Sequence, residues 1–369
     1  MSDLDRSHMA RALELARRGE GFVEPNPMVG CVIAHAGQVV GEGWHQRFGG
    51  PHAEVEALSE AGDRAGGATL YVTLEPCGHY GKTPPCTTAI LDAGIGRVVC
   101  AMRDPFPAVS GRGITELQTG GVQVDVGPLE DEARRLNAPY LKLLGTGRPW
   151  ILAKWAMTLD GRIATRAGES RWISGLRSRA VVHRLRGRVD AVIVGSGTAQ
   201  ADDPLLSARP PGPRKAARIV VDSRASLTDD SRLVRTVEEG PVVVAVGSQS
   251  TLADRERLQS HGCEVLLCDA ATHAGRLGQL LDELGHRRMT NVLVEGGSRL
   301  LGTLFDLRAI DEVHVFVAPK LLGGATAVAP ISGQGIEEMS DALHLIDVEF
   351  EQVGDDLYLR GRLSKEIGG

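Results

Sequence analysis

Apolar residues along this chain recur at two spacings, and the spacings take turns. Residues 5–18 carry them three and four positions apart and stop at Gly19, as an amphipathic helix with a glycine end does. The runs VGCVIAH and QVVGEGW flank Ala36-Gly37 and predict a hairpin. Residues 51–61 predict a helix with Pro51 in its first turn. ATLYVTLEP predicts a strand, PPCTTAILDAG a helix, RVVCAMRDP a strand, GITELQTGG a short helix and VQVDVG a strand. LEDEARRLNAPYLKLLGTG predicts one long helix. Alternating strands and helices imply a layered α/β domain with a largely parallel portion.

The stretch Gly145-Thr146-Gly147-Arg148-Pro149 breaks both periods and places a boundary between domains at 1–147 and 148–369. Beyond it the strand WILAKWAMTLDG is followed by strand runs DAVIVG, ARIVVD, PVVVAVG, CEVLLCD, NVLVEGG and DEVHVFVAPK. Helices are expected near 175–187, 274–285 and 298–306, and residues 343–363 read as a closing antiparallel hairpin. A second α/β domain with an antiparallel end follows. Two domains also suit 369 residues, since single cores stop growing near about 250–300.

Composition narrows the class without naming a function. The chain is 42% hydrophobic and 24% charged, with net charge -6, which gives no basic footprint for nucleic acid. No apolar run is long enough to span a bilayer, and the first residues lack the apolar core of a signal peptide, so the cytoplasm is expected. In that reducing compartment the six cysteines are thiols or metal ligands. Cys31, Cys100, Cys263 and Cys268 lie in or beside strands and are expected to be buried.

Cys77 and Cys86 are different. They follow Glu75-Pro76 and Pro84-Pro85, and Pro51-His52-Ala53-Glu54 precedes them. One His and two Cys, with a Glu two residues after the His, make the ligand set of a zinc-dependent deaminase. His52, Cys77 and Cys86 would hold the ion and leave a position for water, whose pKa drops to about 7. Both cysteines are expected at or just ahead of a helix N-terminus, where backbone N–H groups favour thiolate. Glu54 can face the water without ligating and carry its proton to the leaving ammonia. Eight residues separate the cysteines, a longer loop than the short form of this signature has. A closed structural zinc site would instead need a fourth ligand, for which His79 is the candidate.

Pro25-Asn26-Pro27, the hairpin, PHAE, TLEPC, GKTPPC and Asp104-Pro105 together resemble the deaminase half of the bifunctional riboflavin-biosynthesis deaminase–reductases. That resemblance implies a cytidine-deaminase-like three-layer fold, and that Asn26, His45, His79, Lys82 and Asp104 bind a phosphoribosyl-pyrimidine. Two positions depart from the family pattern: Gly78 stands where Ser is usual, and Phe106 where Asn is usual.

In the second half no sound dinucleotide fingerprint follows DAVIVG, because Gln200 replaces the last small residue and Asp202-Asp203-Pro204 stops the helix. Val294-Glu295-Gly296-Gly297-Ser298 is the other candidate, a strand running through two glycines into a helix. LDGRIA, GESRWIS, VGSGTAQADDPLL, VEGGS and VAPKLLGG resemble the reductase half of the same family. The resemblance implies a dihydrofolate-reductase-like fold that uses NADPH. It places Ala156, Trp172, Thr198, Asp202 and Gly297, Ser298, Arg299, Leu300, Leu301, Gly302 and Thr303 on the nucleotide. It places Lys154, Ser170, Arg186, Leu206, Arg209 and Glu295 on the substrate. Arg186 and Arg209 can each offer a fork to a phosphate. If the adenosine end lies at Ser223-Arg224, Arg224 suits the 2′-phosphate of NADPH, whereas Asp222 would suit a free 2′-hydroxyl. Asp202 and Lys154 are the polar groups expected nearest the reacting carbon.

The reading is a two-step enzyme. It deaminates 2,5-diamino-6-(5-phosphoribosylamino)pyrimidin-4-one with zinc, then reduces the ribosyl group with NADPH to give 5-amino-6-(5-phosphoribitylamino)uracil. A homodimer or larger is expected from the family. Two alternatives stand beside it: a deaminase of another nucleoside or nucleotide with an inactive reductase-like domain, and a zinc-stabilised binding module.

Overall fold

A computed structural model describes residues 2–78, 84–106 and 110–364. The chain forms two compact units, Met1–Gly147 and Arg148–Gly369. In the first, strands β1 (Gly30–His35), β2 (Gln38–Trp44), β3 (Thr69–Val72), β4 (Arg97–Cys100) and β5 (Gln123–Val126) form a sheet in the order β2-β1-β3-β4-β5. The hairpin β1–β2 and the β1–β3 pair are antiparallel, and β3–β4–β5 are parallel. The helices are α1 (Asp3–Ala16), α2 (Ala53–Ala61), α3 (Cys86–Asp92), α4 (Arg112–Thr119), α5 (Glu130–Leu136) and α6 (Ala138–Thr146).

Strand alternation explains the three layers. Cys31 and Ile33, Leu70 and Val72, and Val98 and Cys100 enter one core with Ala53, Ala57 and Ile90 of α2 and α3. Their neighbours Val32, Tyr71 and Val99 enter a second core with Met9, Ala12 and Leu13 of α1. The four non-ligand cysteines are buried, as expected.

One expectation fails here. Residues 129–147 do not make a single helix: Asn137, at φ -98° and ψ 17°, separates α5 from α6. Its side chain is turned to Met28, accepting from the Met28 N–H at 2.8 Å and donating to the Met28 carbonyl at 2.9 Å. Pro139, near the start of α6, lacks the N–H that a continuous helix would use.

The second unit is built on β6 (Trp150–Thr158), β7 (Ala191–Gly195), β8 (Ala217–Val221), β9 (Val242–Val246), β10 (Glu264–Leu267), β11 (Asn291–Val294), β12 (Glu312–Ala318), β13 (Leu345–Val353) and β14 (Asp356–Leu363). Their order is β10-β9-β8-β7-β11-β6-β12-β14-β13, parallel from β10 through β12 and antiparallel at β14 and β13. Helices α7 (Leu176–Arg186), α8 (Ser196–Asp202), α9 (Arg232–Arg235), α10 (Leu252–Ser260), α11 (His273–His286) and α12 (Ser298–Asp306) complete it. Ile151 and Ala153 of β6 pack with α11 and α12. Ala156 packs instead against the cluster of Val181, Val182, Phe316 and Tyr358, so even positions of β6, Lys154 among them, share the face that α7 covers. Among the described residues no helix is long and apolar enough to cross a membrane.

Candidate active sites

Helix α2 lies directly on β2. A Cβ on Gly43 would come within 2.4 Å of the Ala53 carbonyl oxygen, and one on Gly41 within 2.3 Å of that of Ala57. Glycine alone permits that approach, and it fixes where α2 begins. His52 is its N-cap (φ -80°, ψ 163°) and Glu54 sits in the first turn. Pro51 is therefore outside the helix, not in its first turn: its carbonyl accepts from His45 Nδ1 at 2.9 Å.

Cys86 opens α3, as expected. Cys77 is not followed by a helix among the described residues; instead the Cys86 N–H donates to its Sγ at 3.4 Å. His52 Nδ1 lies 3.2 Å from Cys86 Sγ and 3.5 Å from Cys77 Sγ, and the three ligand atoms are all within 4.8 Å of one another. Tetrahedral zinc with ordinary bond lengths holds such atoms roughly 3.6–3.8 Å apart, so the donor set fits the ion. The hydrogen bond from Cys86 pulls the Cys77 thiol well below its ordinary range, against burial and with help from His52. The same bond pushes Cys86 up. The Cys86 N–H on the Cys77 Sγ favours the thiolate form a ligand needs.

Glu54 is buried beside this set, and burial pushes its carboxyl up, with His52 opposing. His45 is no surface residue: it is 3% exposed, its ring stands edge-on to His52, and burial pulls its imidazole down. The Pro51 carbonyl can only accept, so Nδ1 carries the proton and Nε2, 3.4 Å from Asn26 Nδ2, is an acceptor. Asp104 is buried too, accepting from the Phe106 N–H at 2.9 Å and the Tyr140 hydroxyl at 3.1 Å. Asn26, His45, His52 and Glu54 therefore form one continuous group, with Cys77 and Cys86 against His52. His79 and Lys82 lie outside the described residues.

The second unit assembles its polar groups around Glu295. Arg186 of α7 grips it with both ends of its fork, Nε–Oε1 at 2.5 Å and Nη2–Oε2 at 2.9 Å, and Lys154 Nζ stands 4.0 Å away. Burial would raise the Glu295 carboxyl, but Arg186 and Lys154 outweigh it and hold it below its usual range. Burial pulls the Lys154 ammonium down, with Glu295 opposing and Arg186 assisting. Arg186 also donates to the Ser207 carbonyl, so it has no fork to spare for a phosphate; Arg209 is the exposed one. Leu206 is 1% exposed at φ 57°, so only its backbone is available to a ligand. Ser170 donates to Asp202 at 3.1 Å, and Arg171 pairs with the same carboxylate at 3.7 Å.

Gly296 and Gly297 turn with φ of 115° and 69°, which residues with a Cβ rarely adopt, and lead into α12. A Cβ on Gly297 would meet Thr198 Oγ1 at 3.4 Å, so the two nucleotide candidates adjoin. Leu300 and Leu301 belong to the core, and a Cβ on Gly302 would lie 2.0 Å from the Ser332 carbonyl oxygen. The leucine side chains face inward and Gly302 has none, so those three could meet a ligand only through backbone, while Ser298, Arg299 and Thr303 keep side chains outside the core. Trp172 is 63% exposed, with the Arg179 guanidinium 4.2 Å from its ring centre.

Comparison with known proteins places this geometry. The profile described as RibD C-terminal domain matches residues 149–359, and that of the cytidine and deoxycytidylate deaminase zinc-binding region matches residues 2–102. The riboflavin biosynthesis protein RibD of Actinobacillus pleuropneumoniae is 42% identical over 97% of this chain and 95% of its own length. The chain belongs to the RibD family. The solved structure of Acinetobacter baumannii RibD is similar at a TM-score of 0.85 and 37% identity, over 98% of this chain and 99% of that one. The diaminohydroxyphosphoribosylaminopyrimidine deaminase/5-amino-6-(5-phosphoribosylamino)uracil reductase of Thermotoga maritima is similar at 0.83 and 34%, over 98% and 99%.

As a RibD-family member the protein is a bifunctional enzyme of riboflavin biosynthesis, deaminase and reductase, with zinc and NADPH as cofactors. The family likeness spans both halves, so the reading with an inactive second domain is not favoured. The RibD fold also holds residues that sequence reasoning missed. Glu75 is buried and accepts from the N–H groups of Asp104, Gly111 and Ile114 at 3.3, 3.0 and 3.3 Å, tying the Asp104 loop to the Cys77 segment. Asn137 holds the loop after Asn26, and Tyr140 holds Asp104. Lys320 donates to the carbonyls of Trp172 and Ile173 at 2.6 and 2.8 Å. Only the Asn-Ala-Pro break before α6 was a usable signal. Gly78 also has a local reason here: a Cβ would lie 2.7 Å from Glu116 Oε2, so the usual Ser would have to displace that side chain.

Proposed function

We propose that residues 1–147 deaminate 2,5-diamino-6-(5-phosphoribosylamino)pyrimidin-4-one and that residues 148–369 reduce its ribosyl group to ribityl, giving 5-amino-6-(5-phosphoribitylamino)uracil. The observation that carries the first step is the trio His52, Cys77 and Cys86 with Glu54 buried beside it. Zinc in that trio supplies the Lewis acidity that makes water a nucleophile near neutral pH. Glu54 accepts the water proton on its carboxylate and returns it to the departing amine, so ammonia leaves and oxygen replaces nitrogen. Burial suits Glu54 to the task, since it makes the carboxylate a stronger base toward the water proton. Asn26, His45 and Asp104 orient the pyrimidine and its phosphoribosyl group, and we extend the same role to His79 and Lys82.

In the reductase, NADPH supplies the hydride that reaches ribosyl C1′. Ala156, Trp172, Thr198, Asp202, Ser223, Arg224 and the turn at Gly297 to Arg299 hold the nucleotide, with glycine N–H groups and the start of α12 toward its phosphates. Ser170, Arg186, Leu206, Arg209 and Glu295 shape the substrate pocket, and Arg209 takes the substrate phosphate. Opening the sugar to ribityl also needs a proton. Lys154 is the group suited to give it, because burial lowers its affinity for that proton. Asp202 is engaged by Ser170 and Arg171, which favours a positioning part.

The test is mass spectrometry of the diaminopyrimidine phosphoriboside after incubation with the zinc protein, with and without NADPH. Exchange of the amine for oxygen without NADPH, and gain of two hydrogens only with it, are expected. Deamination with no NADPH consumption would sink the reductase assignment. We also propose a homodimer or larger. The edge strand β13 supports it, leaving Ile346 48% and Phe350 65% exposed beside unpaired backbone. A monomer mass by sedimentation at micromolar concentration would reject it.

A further inference from the structure

Nε of Arg276 is buried and has no hydrogen-bond partner among the described residues. Buried donors of that kind are uncommon and ask for an explanation. The rest of the side chain is fixed, with Nη1 donating to the carbonyls of Ala270 and Ala271 at 3.0 and 3.3 Å. Arg276 is in the first turn of α11, where it lines a narrow recess with Val221 and Ser223 at the end of β8 and Val246 at the end of β9. Gly247 makes room for it. A Cβ there would sit 3.1 Å from Arg276 Cδ, 3.3 Å from its Nε and 3.3 Å from the Ser223 carbonyl oxygen. The Gly247 N–H donates to that same carbonyl at 3.0 Å. The arginine therefore stands against the turn that carries Arg224.

Arginines gather on this side of the recess, with Asp269 and Glu283 near its Cys268 side. No ion pair neutralises Arg276 among the described residues, and after burial the charges of Arg276 and Arg299 hold the His273 imidazole below its ordinary range. Nor does Asp222 offset them at the turn. It is 2% exposed, and its carboxylate accepts from the Leu227 N–H at 2.8 Å and the Ser226 hydroxyl at 3.1 and 3.2 Å. A carboxylate spent on its own turn is not available to a ribose 2′-hydroxyl, the contact by which acidic residues at such strand ends select NAD.

We infer that Arg276, with Ser223 and Arg224, forms the site of the adenosine 2′-phosphate and sets the preference for NADPH over NADH. The inference rests on the NADPH assignment of this domain. The recess is about 10 Å³, room for one water, so the phosphate sits at its mouth, where Arg224 is exposed.

Isothermal titration calorimetry of the full chain with 2′,5′-ADP and with 5′-AMP tests it without turnover. The parent protein should bind 2′,5′-ADP more tightly. Arg276→Gln should weaken 2′,5′-ADP about 10-fold or more, the scale of a lost charged hydrogen bond, and leave 5′-AMP within about twofold. Arg276→Lys, which keeps the charge, should recover part of the loss. Should Arg276→Gln not fold, Gly247→Ala presses a methyl on the same guanidinium and should show the same selective loss. Equal weakening of both ligands, or of neither, overturns the role of Arg276 while leaving the cofactor assignment intact. Equal binding of the two ligands by the parent protein overturns both.

Discussion

In the N-terminal unit three candidate ligand atoms from residues 52, 77 and 86 meet within 4.8 Å, and Glu54, the proposed proton carrier, follows His52 by two residues. In the C-terminal unit the polar groups around Glu295 come from residues 154 and 186, on two other elements, and the nucleotide turn is mostly backbone. The first site states its chemistry in side-chain identity, because zinc accepts few residue types. The second states it in geometry: where a strand ends, which glycine turns, which arginine is already paired. Both rest on buried polar groups.

That difference predicts the largest effect. Glu54→Gln preserves shape and zinc ligands while removing the proposed proton carrier. Deamination should fall by about 10²–10⁴-fold, the usual contribution of general acid–base catalysis. Zinc content by elemental analysis and reduction of the already deaminated substrate should both match the parent. A loss of deamination smaller than tenfold would remove Glu54 from the proton path.

The reductase half should respond instead to a group that never meets substrate. His314 is paired in register with Lys154, and on the same strand Glu312 reaches back to His314 Nε2 at 3.1 Å and accepts from Trp150 Nε1 at 3.2 Å. Burial alone would raise the Glu312 carboxyl, yet His314, Arg362 and Trp150 together hold it down at about 2, against 4.5 when unperturbed. A carboxylate depressed in the folded state binds more protons when unfolded, so its stabilisation is complete above 4.5 and is lost as pH falls toward 2. The contribution is on the order of 3 kcal/mol. Denaturant unfolding of the parent and Glu312→Gln across that window should show the parent losing its advantage as pH drops. A constant gap between the two curves would mean that Glu312 is not the titrating group.

The limits of the sequence follow the same division. The grouping of His52, Cys77 and Cys86, the place of Glu54 beside them and the α/β order were legible, because residue type and period carry them. The start of α2 was two residues off, because the His45–Pro51 bond that holds Pro51 outside the helix leaves no mark on the apolar period. Arg186 looked like a phosphate fork until Glu295, 109 residues away, claimed it. Leu300 and Leu301 were placed on the nucleotide by family pattern; their helix turns the side chains into the core, which leaves backbone alone for that contact. Short helices such as α8 and α9 gave too few residues for a period to show.

Asn137 is where the two kinds of information meet, and it carries the smallest predicted effect. Its side chain is 1% exposed and bridges both backbone groups of Met28, two residues after Asn26. Asn137→Ala removes both bonds and should cost about 2 kcal/mol of stability in the first unit. If the bridge also positions Asn26, KM for deamination should rise several-fold while kcat and zinc content hold. Asn137→Asp keeps the acceptor for the Met28 N–H and loses the donor to its carbonyl, so it should fall between. A stability loss with KM unchanged in both variants would make Asn137 a helix break that merely packs. The deaminase site would then be held by its metal ligands and Glu75 without help from the loop that precedes β1.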